Sequence, residues 1–173
     1  MPQLTYPSIR LKKGKERSLL QKHPWVFSGA IEHEPPGMKE GAIVQVISQN
    51  KEYLATGHWH KGTITVRCFD FSGSIPDTHL FRRKIQAAIQ LRNAIYLPKE
   101  NTNCYRLIHG EGDGFPGLIV DIYGNTAIIQ CYTAGMYQLR QMLAAIILEE
   151  IPCLTAIYDK SNETMSKHGA DSE

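Results

Sequence analysis

The chain has 173 residues, of which 42% are hydrophobic and 21% charged, a size and composition typical of a soluble globular protein with one ordinary domain or two small ones. A formal net charge of +2 excludes a polycation that binds nucleic acid over its whole surface. No apolar run in the sequence could span a bilayer, and residues 1–15 lack the apolar core of a signal peptide. We therefore expect a cytoplasmic location and no membrane partner.

Short strands dominate the first part of the chain. The predicted strands occupy residues 4–11, 42–48, 53–60 and 63–71. Pro7 should confine the first strand to a sheet edge, and residues 16–22 form a short helix that stops before Pro24. Residues 25–27 are apolar and should be buried, whereas residues 34–41 form a loop. Closely spaced short strands predict a small, twisted β-barrel or sandwich.

The sequence changes character at residues 72–77, where Ser, Gly and Pro predict a domain boundary. The resulting domains are residues 1–73 and 74–173. The second domain begins with an amphipathic helix over residues 78–97, capped by Asp77 or Thr78. Its other predicted elements are strands at 104–109, 118–123, 126–132 and 155–159 and a helix at 138–150. Residues 160–173 are polar and have no predicted element, and the chain as a whole is predicted to be α+β.

The most informative segment is residues 105–121, in which a Gly/Pro turn rich in acids separates two apolar strands. Residues 112–117 formally match the Gly-x-Gly-x-x-Gly fingerprint of dinucleotide-binding proteins. That fingerprint needs a helix after it, so that the phosphates can lie at the helix N-terminus. Pro116 interrupts the match, and residues 118–123 have the composition of a strand. The match therefore does not predict a dinucleotide site.

Basic residues cluster near the N-terminus and again at residues 82–84. The N-terminal members are Arg10, Lys12, Lys13, Lys15, Arg17 and Lys22. Such a cluster can be a solvated surface without a ligand, but it is also what binding to a phosphate backbone requires. Lys22 and His23 precede Trp25, and cations beside an aromatic ring can bind a phosphate and stack on a base. Trp25 itself is expected to lie in the core beneath the short helix.

Three further groups of residues could carry chemistry, and each has a structural alternative. His58 and His60 share one face of a strand and could bind a metal, but no third ligand has a sequence argument. The acids of residues 109–121 could bind a divalent ion or serve acid–base chemistry, or they could only cap backbone groups. Arg106 should face either a phosphate or an internal partner such as Asp121. The four cysteines form no metal-binding or nucleophile motif. Taking these groups together, we expect neither a metal site nor a catalytic residue in this chain.

Several segments together resemble one known family. They are SLLQKHPWVFSGAI (residues 18–31), GHWH with ITVR (57–60 and 64–67), the hairpin at 105–121, and AIYDKS (156–161). The chain is similar to the PUA-containing, S-adenosylmethionine-dependent methyltransferases of the ribosomal large-subunit cytosine-5 methyltransferase I type. The resemblance covers essentially the whole chain, in the right order and spacing.

This resemblance implies three domains in the complete enzyme. They are an RNA-binding PUA β-barrel, a central α/β domain of strand-strand-helix-strand-strand type, and a C-terminal Rossmann-like domain with the S-adenosylmethionine site and the catalytic cysteine. The 173 residues match the first two, and none of their cysteines matches the catalytic one. We therefore expect that this piece alone binds no cofactor and is inactive, and that the full-length parent binds S-adenosylmethionine.

The expected function is to position RNA, in the first instance 23S ribosomal RNA, for cytosine-5 methylation by a domain outside this chain. The residues expected to contact RNA are Lys12, Lys13, Arg17, Lys22 and His23. The alternative is a stand-alone RNA-binding or assembly module without enzymatic activity. The sequence leaves the oligomeric state open, and a homodimer is one alternative.

Overall fold

The computed structural model describes residues 6–99 and 101–165. The chain divides between Pro76 and Asp77 into two compact units. Each unit has its own β-sheet, and helices accompany both sheets, so the fold is α+β as predicted. None of the helices in the described ranges has the length and apolarity that a membrane crossing needs.

The first unit is a six-stranded sheet that curls into half of a barrel. Its elements are β1 (Ser8–Leu11), α1 (Arg17–Leu20), β2 (Trp25–Phe27), β3 (Ile31–His33), β4 (Ile43–Ile47), β5 (Tyr53–Trp59) and β6 (Ile64–Asp70). The strands are arranged in the order β2-β6-β5-β4-β1-β3. Strand β1 runs parallel to β4, and the other neighbouring pairs are antiparallel. Strand β2 therefore lies at one edge of the sheet.

The prediction that the first strand lies at a sheet edge is wrong. Strand β1 lies between β3 and β4 and pairs with both. Pro7 precedes the strand, so its missing N–H does not interrupt the ladder, and its carbonyl oxygen accepts a hydrogen bond from the Gln45 N–H at 2.9 Å. Residues 4 and 5 of the predicted strand lie outside the described residues.

Strand β2 buries only its middle residue. Val26 is buried in the apolar core, which also contains Ile9, Leu19 and Val66. Trp25 is half-buried and Phe27 is 43% exposed, because successive side chains of a strand point to opposite faces. The prediction that residues 25–27 are buried is therefore correct for Val26 alone.

The second unit contains two long helices and a four-stranded sheet. Its elements are α2 (Thr78–Ala94), β7 (Cys104–His109), β8 (Leu118–Tyr123), β9 (Thr126–Cys131), α3 (Ala134–Glu150), β10 (Ala156–Asp159) and α4 (Asn162–Met165). The sheet order is β10-β9-β8-β7, with β10 parallel to β9 and the other pairs antiparallel. Residues 110–117, which include a short 3-10 helix at Gly110–Asp113, join β7 to β8, and a two-residue turn joins β8 to β9. Three strands therefore precede α3 and one follows it in the described residues. This order differs from the strand-strand-helix-strand-strand order that the resemblance implies.

Capping residues determine where the two long helices begin. The Asp77 carboxylate accepts a hydrogen bond from the Leu80 N–H at 3.0 Å, which confirms the predicted cap of α2. Helix α3 begins four residues before its predicted start, because Thr133 caps it through the Met136 N–H at 3.5 Å. The short helix α4 is absent from the predicted elements, since its residues are mostly polar.

Gly57 allows β5 and β6 to approach closely. A Cβ atom at this position would lie 2.6 Å from the Arg67 carbonyl oxygen and 2.8 Å from Val66 Cγ1. We predict that Gly57→Ala lowers the free energy of unfolding by about 1–3 kcal/mol, because the added methyl group overpacks the sheet. The measurement is urea unfolding, with Gly29→Ala as the matched control, since a Cβ there meets no atom within 4 Å. Equal stabilities of the two variants would contradict the prediction.

Candidate nucleic-acid interface

The outward side of β2 carries an aromatic cluster. The Trp25 ring meets the rings of His23 and Phe27 edge-on, at centroid distances of 5.8 and 6.3 Å. Trp25 pairs across the sheet with Arg67 of β6, whose guanidinium carbon lies 5.7 Å from the Trp25 ring centroid. Among the described residues, the core cluster of this unit includes Val26 but not Trp25. The expectation that Trp25 is a core residue is therefore wrong.

Three of the predicted RNA-contacting residues lie at the ends of β2. Lys22 and His23 precede the strand and are separated from it by Pro24, and the His23 Nδ1 atom accepts a hydrogen bond from the Trp25 N–H at 3.2 Å. Lys12 reaches the other end, where its ammonium group donates to the Gly29 carbonyl oxygen at 3.0 Å. All three side chains are exposed. We call Lys12, Lys22 and His23, together with Trp25, Phe27 and Arg67, the β2 surface.

The other two predicted residues lie between β1 and β2. Lys13 is in the turn that follows β1, and Arg17 is the first residue of α1. Both are exposed. Within the described residues, neither forms an ion pair, and the same holds for Lys12 and Lys22. Their charges are therefore available to an anionic ligand.

Charge is distributed unequally along the chain. Residues 1–76 contain ten Lys and Arg against six Asp and Glu, whereas residues 77–173 contain nine against eleven. The excess of positive charge therefore belongs to the half of the sequence that contains β2. A local excess of this kind attracts a phosphate backbone even in a nearly neutral chain.

His58 and His60 have separate structural environments. The His58 ring packs on Phe69 with centroids 4.8 Å apart, and burial lowers its pKa to about 3. The Nδ1 atom of His60 lies 2.8 Å from a carboxylate oxygen of Glu40, while burial lowers the pKa of His60 despite that partner. In residues 6–99 and 101–165, no three His, Cys, Asp or Glu side chains are grouped so that they could hold a metal ion.

Two acids of the turn at residues 109–121 have structural partners. Both carboxylate oxygens of Asp113 accept hydrogen bonds from the Arg92 guanidinium, and one also accepts from the His109 N–H at 2.6 Å. Burial alone would raise the pKa of Asp113, but these hydrogen bonds lower it below its ordinary value. Asp121 binds Arg106 through two contacts of 2.8 and 3.1 Å, which is the internal ion pair that the sequence offers as one alternative.

Residues 9–71 match the family model of the PUA-like domain. The first unit contains a PUA-like domain. The curled sheet with β2 at its edge belongs to this domain, and so do Arg17, Lys22 and His23 and the aromatic cluster on the outward side of β2.

Curated relatives resemble nearly the whole chain, including the PUA-like domain. The ribosomal RNA large subunit methyltransferase I of Salmonella enteritidis PT4 is 36% identical over 166 residues, and that of Salmonella arizonae is 34% identical over 165 residues. Each comparison covers 94% of this chain and 40% of the relative, so the chain spans about two fifths of the length of the curated relatives it matches. The predicted resemblance to this group of methyltransferases is confirmed.

Two solved structures share the fold. A candidate SAM-dependent methyltransferase from Streptococcus mutans has a TM-score of 0.76 at 20% identity, covering 90% of this chain and 41% of that chain. A candidate methyltransferase crystallised in complex with SAH has a TM-score of 0.75 at 20% identity, covering 89% and 40%. At this level of identity the likeness concerns the fold alone.

Phe27 and Arg67 of the PUA-like domain are missing from the residues that the sequence nominates for RNA contact. A signal for Phe27 exists, because residues at alternate positions of a strand share a face, and Trp25 and Phe27 are two apart. Arg67 has no such local signal. Its position over Trp25 depends on the pairing of β2 with β6, which are separated by more than thirty residues in the chain.

We predict that acid weakens the PUA-like domain through His58. The unfolded chain binds a proton on this histidine near pH 6.5, whereas the folded chain does so only near pH 3. The contribution of His58 to the free energy of unfolding is therefore fully present above pH 6.5 and is lost as the pH falls toward 3. The loss is about 2 kcal/mol between pH 7 and pH 5. Urea unfolding at both pH values measures this loss. His58→Gln should reduce it, and an undiminished loss in that variant would contradict the assignment.

We predict unequal contributions from the two ion pairs of the second unit. Arg92→Met should cost about 3–5 kcal/mol, because it leaves the buried Asp113 carboxylate without its cation. Arg106→Met should cost about 0.2–1 kcal/mol, since the Arg106 side chain is 45% exposed and water screens its pair. Thermal and urea unfolding of the two variants give the comparison. A larger loss of stability in Arg106→Met than in Arg92→Met would contradict the prediction that the Arg92–Asp113 pair contributes more.

Proposed function

We propose that the PUA-like domain binds RNA through the β2 surface and the neighbouring cations Lys13 and Arg17. The observation that carries this proposal is the cluster of exposed cations around β2 in a domain that matches the PUA-like family. Four of these cations form no ion pair in the described residues, so binding phosphates would not require an existing pair to break. Each phosphate neutralised releases condensed counterions, which favours binding at low salt.

We further propose that this chain is the RNA-binding part of a SAM-dependent methyltransferase acting on large-subunit ribosomal RNA, with a cytosine C5 atom as the methyl acceptor. The names of the curated relatives support the reaction class and the RNA substrate. The chain spans 40% of those relatives, and no catalytic residue is assigned within it. We expect the 173 residues alone to bind RNA without binding SAM or transferring a methyl group.

In this proposal the chain positions RNA rather than reading its sequence. Contacts from lysine and arginine to phosphates set the register and orientation of a nucleic acid but carry little sequence information. A base must be unstacked before a methyltransferase can reach it. Selection of the target base then depends on how far the bound RNA lies from the catalytic groups.

We predict that Lys12, Lys13 and Lys22 supply salt-dependent affinity. Replacing all three by Gln should weaken binding to a structured ribosomal RNA fragment, because phosphate contacts are lost. The slope of log K against log salt should become shallower by about 2 to 3. Fluorescence anisotropy across a salt series measures both quantities.

The matched control replaces Lys39, Lys51 and Lys61 by Gln. These lysines are also exposed and belong to the same unit, and replacing three of them changes the net charge by the same amount. The control should retain more affinity and a steeper slope than the first variant. Equal losses in both variants would show that net charge, rather than the β2 surface, accounts for binding, and would contradict the proposal.

A further inference from the structure

We propose that the aromatic cluster of the β2 surface stacks an unpaired base, so that this PUA-like domain prefers RNA with single-stranded nucleotides over a continuous duplex. This inference rests on the proposed RNA binding and adds the kind of RNA that is bound. The residues that carry it are Phe27, Trp25 and Arg67.

Phe27 is the ring available for stacking. It lies on the outward side of an edge strand, and 43% of its surface is exposed although it is fully apolar. Its neighbour Val26 is 3% exposed, so the strand already contributes to the core without Phe27. Trp25 supports the ring of Phe27 from the side, in an edge-on contact with centroids 6.3 Å apart. Such a contact leaves a ring face open to a flat partner.

Arg67 adds a cation to the aromatic cluster. Its guanidinium group lies over the Trp25 ring at 5.7 Å, on the strand that pairs with β2. A nucleobase has a polarisable face that stacks on aromatic rings and on arginine alike. Phe27, Trp25 and Arg67 thus place two rings and a cation side by side on adjoining strands. This arrangement is suited to a base rather than to an aliphatic ligand.

Cations at both ends of β2 match the backbone that accompanies such a base. Lys22 lies three residues before Trp25, and Lys12 lies against Gly29, two residues after Phe27. Phosphates on either side of an unpaired nucleotide could therefore meet positive charge while the base meets the rings. A base inside a duplex is already stacked on both faces and cannot offer one to Phe27. The arrangement thus favours nucleotides that are unpaired.

The test compares two labelled RNAs with equal numbers of phosphates, a hairpin with an unpaired loop and a blunt duplex. The unsubstituted 173-residue chain should bind the hairpin more tightly. Phe27→Leu removes the ring but keeps an apolar side chain, and should weaken hairpin binding about tenfold and duplex binding by a clearly smaller factor. Phe27→Tyr keeps the ring and should bind as the unsubstituted chain does. Equal melting temperatures would exclude unfolding as the cause.

The outcomes separate this inference from the proposed function. If Phe27→Leu binds the hairpin as tightly as Phe27→Tyr does, or weakens both RNAs equally, the stacking inference is overturned. The phosphate contacts are judged independently by the lysine variants. If the unsubstituted chain binds neither RNA at low salt, the proposed function itself fails.

Discussion

The alternation of side chains along β2 determines which groups of the PUA-like domain meet solvent. Val26 is anchored in the core, and this fixes Trp25 and Phe27 on the opposite side. Because β2 is an edge strand, β6 is its only strand neighbour in the described sheet, and Arg67 comes from that strand. The same backbone places His23 at the start of β2. One buried valine therefore orients the whole aromatic cluster.

The two units use their charges differently. In the second unit, arginines pair with carboxylates of the same unit, and these arginines are Arg82, Arg92, Arg106 and Arg140. These pairs connect α2 to α3, α2 to the turn after β7, β7 to β8, and α3 to β10, and they leave little net charge for a ligand. In the first unit, the exposed lysines near β2 form no ion pairs within the described ranges. Electrostatic attraction to RNA is therefore expected from the first unit.

The sequence predicts elements well where their limits are set by local signals. Strands β7 and β8 match their predicted spans, because a turn with several glycines separates two apolar runs. The sequence-based prediction is wrong about the position of β1, because that position depends on pairing with β3 and β4, which are distant in sequence. It also misjudges Trp25, since three consecutive apolar residues do not reveal which one faces the core. The β2 surface is therefore only partly predictable: the sequence nominates Lys12, Lys22 and His23, whereas the position of Arg67 over Trp25 depends on the pairing of β2 with β6.

Ultraviolet crosslinking of the 173-residue chain to a structured ribosomal RNA fragment, followed by mass spectrometry of the peptides, tests the central claim most directly. Aromatic residues that stack on bases crosslink readily, so the method reports where RNA lies on the protein. The account predicts crosslinks concentrated between residues 12 and 27 and at Arg67. Crosslinks confined to residues 77–165, with residues 12–27 unmodified, would contradict it.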